Sequence, residues 1–299
     1  MEIQYVDRQT GQKNIEKVYG SKAVEWLYST YSGRLFAGFL VKRFISHLYG
    51  KFQNTSLSKK KINVFCQNFN IDLTEFLPED ERSIEDPYEN FNAFFIRRFR
   101  PGLRHFESDP SIMPAFCEAR YYGHKSISGD VSFPVKGNFL SAKQLLADER
   151  WALQFQGGPI LVARLCPVDY HRFHYPDEGK IIDQYRIPGL FHSVNPLALK
   201  KKGDIFITNE RHITILDTKN FGKLAYIEVG ATLVGKIVQT HPERVFSRGD
   251  EKGYFLFGGS TVIVLGQKNT WVPSDDILEN SSQGLETYLH LGKPLAVKV

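Results

Sequence analysis

The stretch FLFGGSTVIVLG, residues 255–266, reads as one buried β-strand that is interrupted by two glycines. Aromatic and branched apolar residues fill the run on both sides of Gly258 and Gly259, and Ser260 follows directly. Glycine inside a strand gives up side-chain packing, so it marks a bulge, a bend or a position where backbone geometry matters more than stability. The stretch predicts a β-rich fold with a special backbone position beside Ser260.

Similar short runs of β-branched and aromatic residues, separated by turn formers, recur from about residue 109 to the end of the sequence. A spacing of about ten residues is typical of antiparallel sheets. Residues 141–153 instead have the pattern of a helix. Within the first 108 residues the spacing of apolar side chains is helical, at Ile62 to Phe69 and in NFNAFFIRRF (90–99). We therefore expect an α+β fold, with a helical N-terminal region (1–108) packed on a mainly antiparallel β-rich domain (109–299).

Residues 34–52, RLFAGFLVKRFISHLYGKF, predict an amphipathic helix that is unusually rich in phenylalanine. Its apolar stripe lies opposite Lys42 and Arg43. Such a helix either packs in the protein core or lies in a membrane interface with its cations at the lipid headgroups. The pattern by itself leaves both alternatives open.

Composition limits the class of protein. The 38 Lys and Arg residues against 33 Asp and Glu give a net charge of +5, which suits an anionic surface as partner without requiring nucleic acid. Cys66, Cys117 and Cys166 are far apart and lack CxxC spacing, which argues against a disulfide framework or a zinc site and for a reducing compartment. No secretory signal or spanning segment is visible, so we expect any membrane contact to be made from the cytoplasmic side.

Two histidines, His171 and His174, lie in DYHRFHYP (169–176). Residues three apart face opposite sides of a strand, and the flanking prolines disfavour a long helix, so both rings reach one cavity only if a turn or bulge intervenes. The alternative is one core histidine and one surface histidine. A zinc site lacks companion ligands at a suitable spacing.

Ser260 is the other candidate for chemistry. It lies outside a GxSxG motif, but a serine after two glycines can attack the carbonyl carbon of its own preceding residue, Gly259. The glycines permit the crowded backbone that this attack needs, and a histidine is a suitable general base. The alternative is an ordinary Gly-Gly-Ser turn.

Taken together, these motifs resemble the phosphatidylserine decarboxylase family. The similarity runs from about Tyr5 to the C-terminus, and YHRFH combined with VGAT and GGST is highly specific to that family. The segments that carry it are KVYGSKAVEWLYS, FNAFFIRRFRPGLR, PVDYHRFHYP, FHSVNP, TNER, IEVGATLVGKI, EKGYFLFGGSTVIVL and GLETYLHLGKP.

The resemblance implies a proenzyme that cuts itself between Gly259 and Ser260. An N-to-O acyl shift and β-elimination would leave a pyruvoyl group, derived from Ser260, at the start of chain 260–299, which would stay partnered with chain 1–259. The pyruvoyl carbonyl would serve as the electron sink for converting phosphatidylserine to phosphatidylethanolamine, without a metal. Two rival functions are a pyruvoyl enzyme for a soluble amino acid and a non-catalytic β-rich lipid-binding protein.

The resemblance also assigns roles to side chains. His174 matches the base of self-cleavage, and His171 matches a residue that handles substrate. Glu118, in FCEAR, stands where the family has an aspartate that orients the imidazole, and its longer side chain is a departure. The alternative is a structural Glu118 paired with Arg120 or another cation.

A lipid substrate adds three expectations. Arg97 and Arg98 are candidates to face the lipid phosphate, although a solvated helix end would look the same. The 34–52 helix becomes a membrane-docking element at the cytoplasmic face of the cell membrane, bound peripherally to an anionic leaflet. A homodimer is an option that the sequence leaves open.

Overall fold

The structure is a computed structural model that describes residues 3–17, 30, 50–127, 140–231, 236–258 and 260–299. The predicted 34–52 helix, apart from its last residues, and Gly259 lie outside the described residues. The helices include Lys61–Phe69, Phe91–Phe95, Ala142–Leu146, Glu149–Phe155, Pro196–Lys201, Ile205–Thr208 and Asp275–Ser282, with 3-10 turns at Ser56–Lys60 and Leu73–Glu75. The strands are β1 (Gln4–Asp7), β2 (Lys13–Ile15), β3 (Phe76–Leu77), β4 (Arg98–Phe99), β5 (Ile112–Pro114), β6 (Ala119–His124), β7 (Ile160–Leu165), β8 (Arg172–His174), β9 (Gly179–Ile187), β10 (Arg211–Thr218), β11 (Gly222–Val229), β12 (Ile237–Gln239), β13 (Val245–Phe246), β14 (Glu251–Phe255), β15 (Ser260–Gly266), β16 (Trp271–Pro273), β17 (Glu286–Leu289) and β18 (Pro294–Lys298).

The main feature of the fold is a ten-stranded sheet with the order β13-β9-β10-β11-β15-β7-β6-β17-β1-β2. Every neighbouring pair in it is antiparallel except β1 with β17. Smaller sheets have the orders β12-β14-β8, β16-β18-β5 and β3-β4. The predicted α+β class, with a mainly antiparallel β-rich body, is confirmed.

Strand β15 lies inside the large sheet, between β11 and β7. Its residues Val262, Ile263, Val264 and Leu265 are all buried, so both faces of the strand are covered. A strand covered on both faces reads as a continuous apolar run instead of an alternating one. This burial accounts for the sequence TVIVLG and fixes Ser260, the first residue of the strand, in the core.

The glycine pair separates two strands that belong to different sheets. β14 ends at Phe255 and pairs with β8 in a small sheet, whereas β15 begins at Ser260 in the large sheet. Gly258 has a φ of 145°, a conformation that favours glycine. The prediction of one interrupted strand is thus corrected: the chain crosses from one sheet to another at the glycines.

The described N-terminal helices pack on this crossing. The helix Lys61–Phe69 is confirmed, and its buried Ile62 and Phe65 join an aromatic cluster with Phe91, Phe95 and Phe257. The main-chain N–H of Phe257 also donates to Asn92 Oδ1 at 2.9 Å. The helical region therefore fixes the position of Phe257, the residue that precedes the glycine pair.

Two predicted helices are shorter than the sequence pattern indicated. The helix expected over 90–99 spans only Phe91–Phe95, capped by the Asn90 side chain. The stretch 141–153 forms two helices because Ala147 adopts a left-handed conformation between them, with Ser141 and Asp148 as caps.

The sequence pattern did not predict the strands in the described N-terminal residues, which are β1, β2, β3 and β4; β4 lies inside the helix expected over 90–99. β1 pairs in parallel with β17, near the other end of the chain. The boundary between residues 108 and 109 stays a prediction. Within the described ranges, no helix is long and apolar enough to cross a membrane.

Candidate active site

Ser260 is fully buried at the start of β15, where its backbone pairs with Leu165 of β7. The pairing with β7 therefore fixes the position of the Ser260 Cα, to which the side chain is attached. Gly259 lies outside the described residues, so the prediction of the cut bond stays a prediction.

His171 is the imidazole that contacts Ser260. Its Nδ1 lies 3.2 Å from Ser260 Oγ, and its Nε2 lies 2.8 Å from the carbonyl oxygen of Cys166. A carbonyl oxygen only accepts hydrogen bonds, so Nε2 carries the proton and Nδ1 is left with a lone pair. The Ser260 hydroxyl therefore donates to Nδ1, in the geometry of a nucleophile with its general base.

The surroundings of His171 keep this imidazole uncharged. The ring is fully buried and stacks on Phe95, with centroids 3.8 Å apart. Burial lowers the pKa of His171 from 6.5 to about 3, and the positive charge of Arg97 acts in the same direction. The lone pair on Nδ1 is therefore available throughout the physiological pH range.

His174 has different partners. Its Nδ1–H donates to the carbonyl oxygen of Gly249 at 2.9 Å, and its Nε2 lies 3.3 Å from the Tyr170 hydroxyl. Burial lowers its pKa as well. The two histidines separate because His171 precedes β8 while His174 ends it. Among the described contacts, the structure brings His171 and not His174 to Ser260.

The Glu118 carboxylate is paired with a cation, as in the alternative that named Arg120 or another cation, and the cation is Arg104. Arg104 donates to both of its oxygens, at 2.6 and 2.8 Å, and the main-chain N–H of Leu291 donates at 3.1 Å. Arg120, the alternative partner, instead binds Asp169. The structure thus places Glu118 in an ion pair with Arg104, and its role in orienting an imidazole stays a prediction.

Asp169 is a site residue that sequence reasoning missed. Its carboxylate accepts hydrogen bonds from Cys166 N–H at 2.7 Å and from Arg120 Nη1 at 2.6 Å. Its own N–H donates to the Cys166 carbonyl at 2.9 Å. Asp169 therefore closes the turn that presents this carbonyl to His171. The sequence feature that could have pointed to Asp169 is its place as an acidic residue two positions before His171.

These contacts define the class of site: a buried serine hydroxyl hydrogen-bonded to a buried imidazole, the arrangement that enzymes use for a nucleophile and its base. The described residues hold no group of three or more His, Cys, Asp and Glu side chains arranged to bind a metal. Comparison with known proteins gives the family. The family model for phosphatidylserine decarboxylase matches residues 91–292. This chain therefore belongs to the phosphatidylserine decarboxylase family, and it is an enzyme.

Individual relatives agree over nearly the full length. The chain is 39% identical over 298 residues to a phosphatidylserine decarboxylase proenzyme of Clostridium perfringens, which covers 99% of this chain and 100% of the relative. It is 40% identical over 295 residues to the proenzyme of Ruminiclostridium cellulolyticum, covering 98% and 97%. For the proenzyme of Desulfitobacterium hafniense the values are 38% over 298 residues, covering 99% and 98%.

The low pKa of His171 predicts how stability depends on pH. The unfolded chain binds a proton at this imidazole near pH 6.5, whereas the folded chain does so only near pH 3, so acidification below 6.5 favours unfolding. Between pH 8 and 5.5 we expect His171 to account for a loss of about 1.4 kcal/mol in the free energy of unfolding.

Urea denaturation at both pH values measures this loss. The Ser260→Ala chain is compared with the Ser260→Ala/His171→Asn chain, in which the titrating group is gone and no cut occurs. The free energy of unfolding of the chain with His171 exceeds that of the chain with Asn by an amount that should be about 1.4 kcal/mol smaller at pH 5.5 than at pH 8. An advantage that is equal at the two pH values contradicts the neutral, buried imidazole.

Proposed function

We propose that this chain cuts itself between Gly259 and Ser260 and then, with a pyruvoyl group at residue 260, decarboxylates phosphatidylserine to phosphatidylethanolamine. The hydrogen bond between Ser260 Oγ and His171 Nδ1, inside a water-excluding core, carries the proposal. Family membership supports the substrate and the proenzyme form.

In the proposed cut, His171 and not His174 is the base, which departs from the role that the resemblance assigned to His174. His171 Nδ1 takes the proton of the Ser260 hydroxyl as Oγ attacks the Gly259 carbonyl carbon. The bond from that carbon to the Ser260 nitrogen breaks, the imidazolium returns the proton to the nitrogen, and an ester remains. β-Elimination of this ester releases chain 1–259 with a C-terminal carboxylate and leaves dehydroalanine at residue 260. The imine tautomer of dehydroalanine takes up water and loses ammonia, which leaves the pyruvoyl group on chain 260–299.

The residues around position 260 fit a pyruvoyl group. The group would be held by the pairing of β15 with β7 and β11, beside His171. It would supply the carbonyl electron sink for loss of carbon dioxide from an amine substrate. His171 lies where it can hold and return a proton, and the packed rings of Phe95 and Phe257 keep water away.

Peripheral binding to an anionic membrane at the cytoplasmic face is part of the proposal. Phe52, Leu57 and Val64 are exposed large apolar residues near the end of the predicted docking helix. The exposed Lys51 and Lys60 lie among them in the sequence. Apolar side chains flanked by cations suit the boundary of an anionic leaflet. The three cysteines are free thiols, which fits a reducing compartment.

Self-cleavage gives the first test. Intact-mass measurement should find wild-type protein as two chains and Ser260→Ala as one. His171→Asn should slow the cut by roughly a hundredfold or more because it removes the base, whereas His174→Asn, the matched control, should slow it less than about tenfold. Uncut wild-type protein would defeat the function, and an inactive His174→Asn beside a cleaving His171→Asn would restore the original assignment.

The sheet order predicts that the short chain stays bound after the cut. Residues 260–299 supply β15, between β11 and β7, and β17, between β6 and β1, so every one of these pairings must open for release. We expect both chains to coelute from a sizing column in native buffer and to separate only in denaturant. Loss of the short chain in native buffer contradicts this arrangement.

The membrane surface has its own test. Leu57→Glu and Val64→Glu should each weaken sedimentation with vesicles of phosphatidylcholine and phosphatidylserine by about tenfold, because each removes apolar contact worth roughly 1.5 kcal/mol. Leu153→Glu, at an equally exposed leucine on the helix Glu149–Phe155, is the matched control. Equal loss in all three variants, or none in any, argues against this docking surface.

A further inference from the structure

Arg97 is a buried cation whose donors are only partly used. Its side chain lies between the rings of Phe76 and Phe94, at 4.5 and 4.8 Å from their centroids, and the residue is 3% exposed. Nη2 donates to the carbonyl oxygens of Val168 and Asp169. Within the described part of the chain, the buried Nε and Nη1 have no hydrogen-bond acceptor.

The other arginines around the site are each paired with a carboxylate. Arg104 binds Glu118, Arg120 binds Asp169, and Arg172 binds Glu251. Arg97 forms no such ion pair with a described residue. A buried charge without a counter-charge is costly, so an unpaired guanidinium with two free donors points to an anion that comes from outside the chain.

A cavity of about 170 Å³ adjoins Arg97. Arg98 and Arg172 also line it, as do two carboxylates, Glu79 and Asp80. Arg98 lies 3.4 Å from Asp80, whose side chain is 82% exposed. The mostly exposed Asp80 is screened by solvent, whereas Arg97 is not, so the buried side of the cavity is positive. The remaining lining residues are Leu77, Pro78, Tyr88, Ala93 and Ile96.

Two sets of contacts link the cavity wall to the Ser260 site. Ile96, in the wall, accepts a hydrogen bond from Arg172 Nε at 2.7 Å, and its neighbour Phe95 stacks on His171. Arg97 touches the carbonyl of Asp169, which belongs to the turn that orients His171. The Arg97 end of the cavity therefore lies beside the turn that orients His171.

Phosphatidylserine carries two anionic groups, and the chemistry selects between them. Its carboxylate leaves as carbon dioxide, so a strong ion pair to the carboxylate would stabilise the substrate relative to the transition state and slow the reaction. The phosphodiester keeps its charge from substrate to product. An arginine N–H is also well suited to donate a charge-assisted hydrogen bond to a phosphate oxygen.

We propose, resting on the proposed function, that this cavity is a phosphate subsite in which the Arg97 guanidinium, through an N–H that no described residue accepts, donates to a phosphodiester oxygen of the substrate headgroup. The subsite holds the headgroup while the acyl chains stay at the membrane.

Binding to uncut protein tests the subsite without any decarboxylation. Ser260→Ala protein is titrated with glycerophosphoethanolamine, inorganic phosphate and serine, and binding is followed by calorimetry. We expect glycerophosphoethanolamine to bind and serine not to bind. Adding Arg97→Gln should weaken glycerophosphoethanolamine binding by at least about tenfold. Arg100→Gln, the same charge change in the same segment but outside the cavity lining, should leave binding unchanged.

Each other outcome overturns the subsite. If the Arg97 and Arg100 variants bind glycerophosphoethanolamine equally well, Arg97 does not contact the ligand. If serine binds as tightly as glycerophosphoethanolamine, the cavity is a carboxylate site. Inorganic phosphate binding alone makes it a site for free phosphate. A failure of wild-type protein to cut itself would defeat the proposed function but would leave these titrations readable.

Kinetics of the cut enzyme separate binding from positioning. Arg97→Lys keeps the charge and loses the planar guanidinium with its fixed N–H directions, and its self-cleavage reports that the chain has folded. We expect its KM for a short-chain phosphatidylserine to rise about tenfold while kcat changes less than threefold. Slower self-cleavage and lower kcat at unchanged KM would show instead that Arg97 only positions the His171 turn.

Discussion

The hydrogen bond from His171 Nε2–H to the Cys166 carbonyl is the interaction on which the site depends. A neutral imidazole has one N–H, and this bond fixes it on Nε2, so that Nδ1 faces Ser260 as an acceptor. A carboxylate in the same place would also orient the ring, but it would stabilise the charged imidazolium. The carbonyl orients His171 without adding a charge.

A buried ionic network holds that carbonyl in place. Asp169 binds Cys166 N–H and Arg120, and Arg120 and Arg164 share the carboxylate of Glu16. Burial raises the pKa of Glu16, but the charges of the two arginines outweigh it and hold the pKa at about 2. Replacing such pairs by apolar residues is often neutral in stability, whereas removing one partner leaves a costly charge. The network therefore serves the geometry of the site, and it joins the N-terminal segment to the turn beside His171.

The parts of this molecule that the sequence predicted are those set by local pattern. The period of Ile62 and Phe65 gave the helix Lys61–Phe69, and the glycine pair gave the special position before Ser260. β1 was missed because a four-residue strand has too few positions to show a period, and its partner is far along the chain. The spacing of the two histidines did not decide which one meets Ser260, because strand alternation does not extend to a residue that precedes the strand. The ion pair of Glu118 with Arg104 depends on tertiary packing, which no motif records.

A base with a pKa of about 3 accepts a proton less readily than one tuned to neutral pH. This weakness matters little for the proposed self-cleavage, which each chain would perform once, with the hydroxyl already bonded to the imidazole. Decarboxylation must turn over, and there a proton has to move at every cycle. Burial and the charge of Arg97 together disfavour the imidazolium form of His171. With a phosphate bound at Arg97, the negative charge offsets that of the guanidinium, so the imidazolium becomes less unfavourable once substrate is present. Burial would keep His171 neutral in the empty site, and a phosphate bound at Arg97 would remove the smaller part of the effect that comes from the guanidinium.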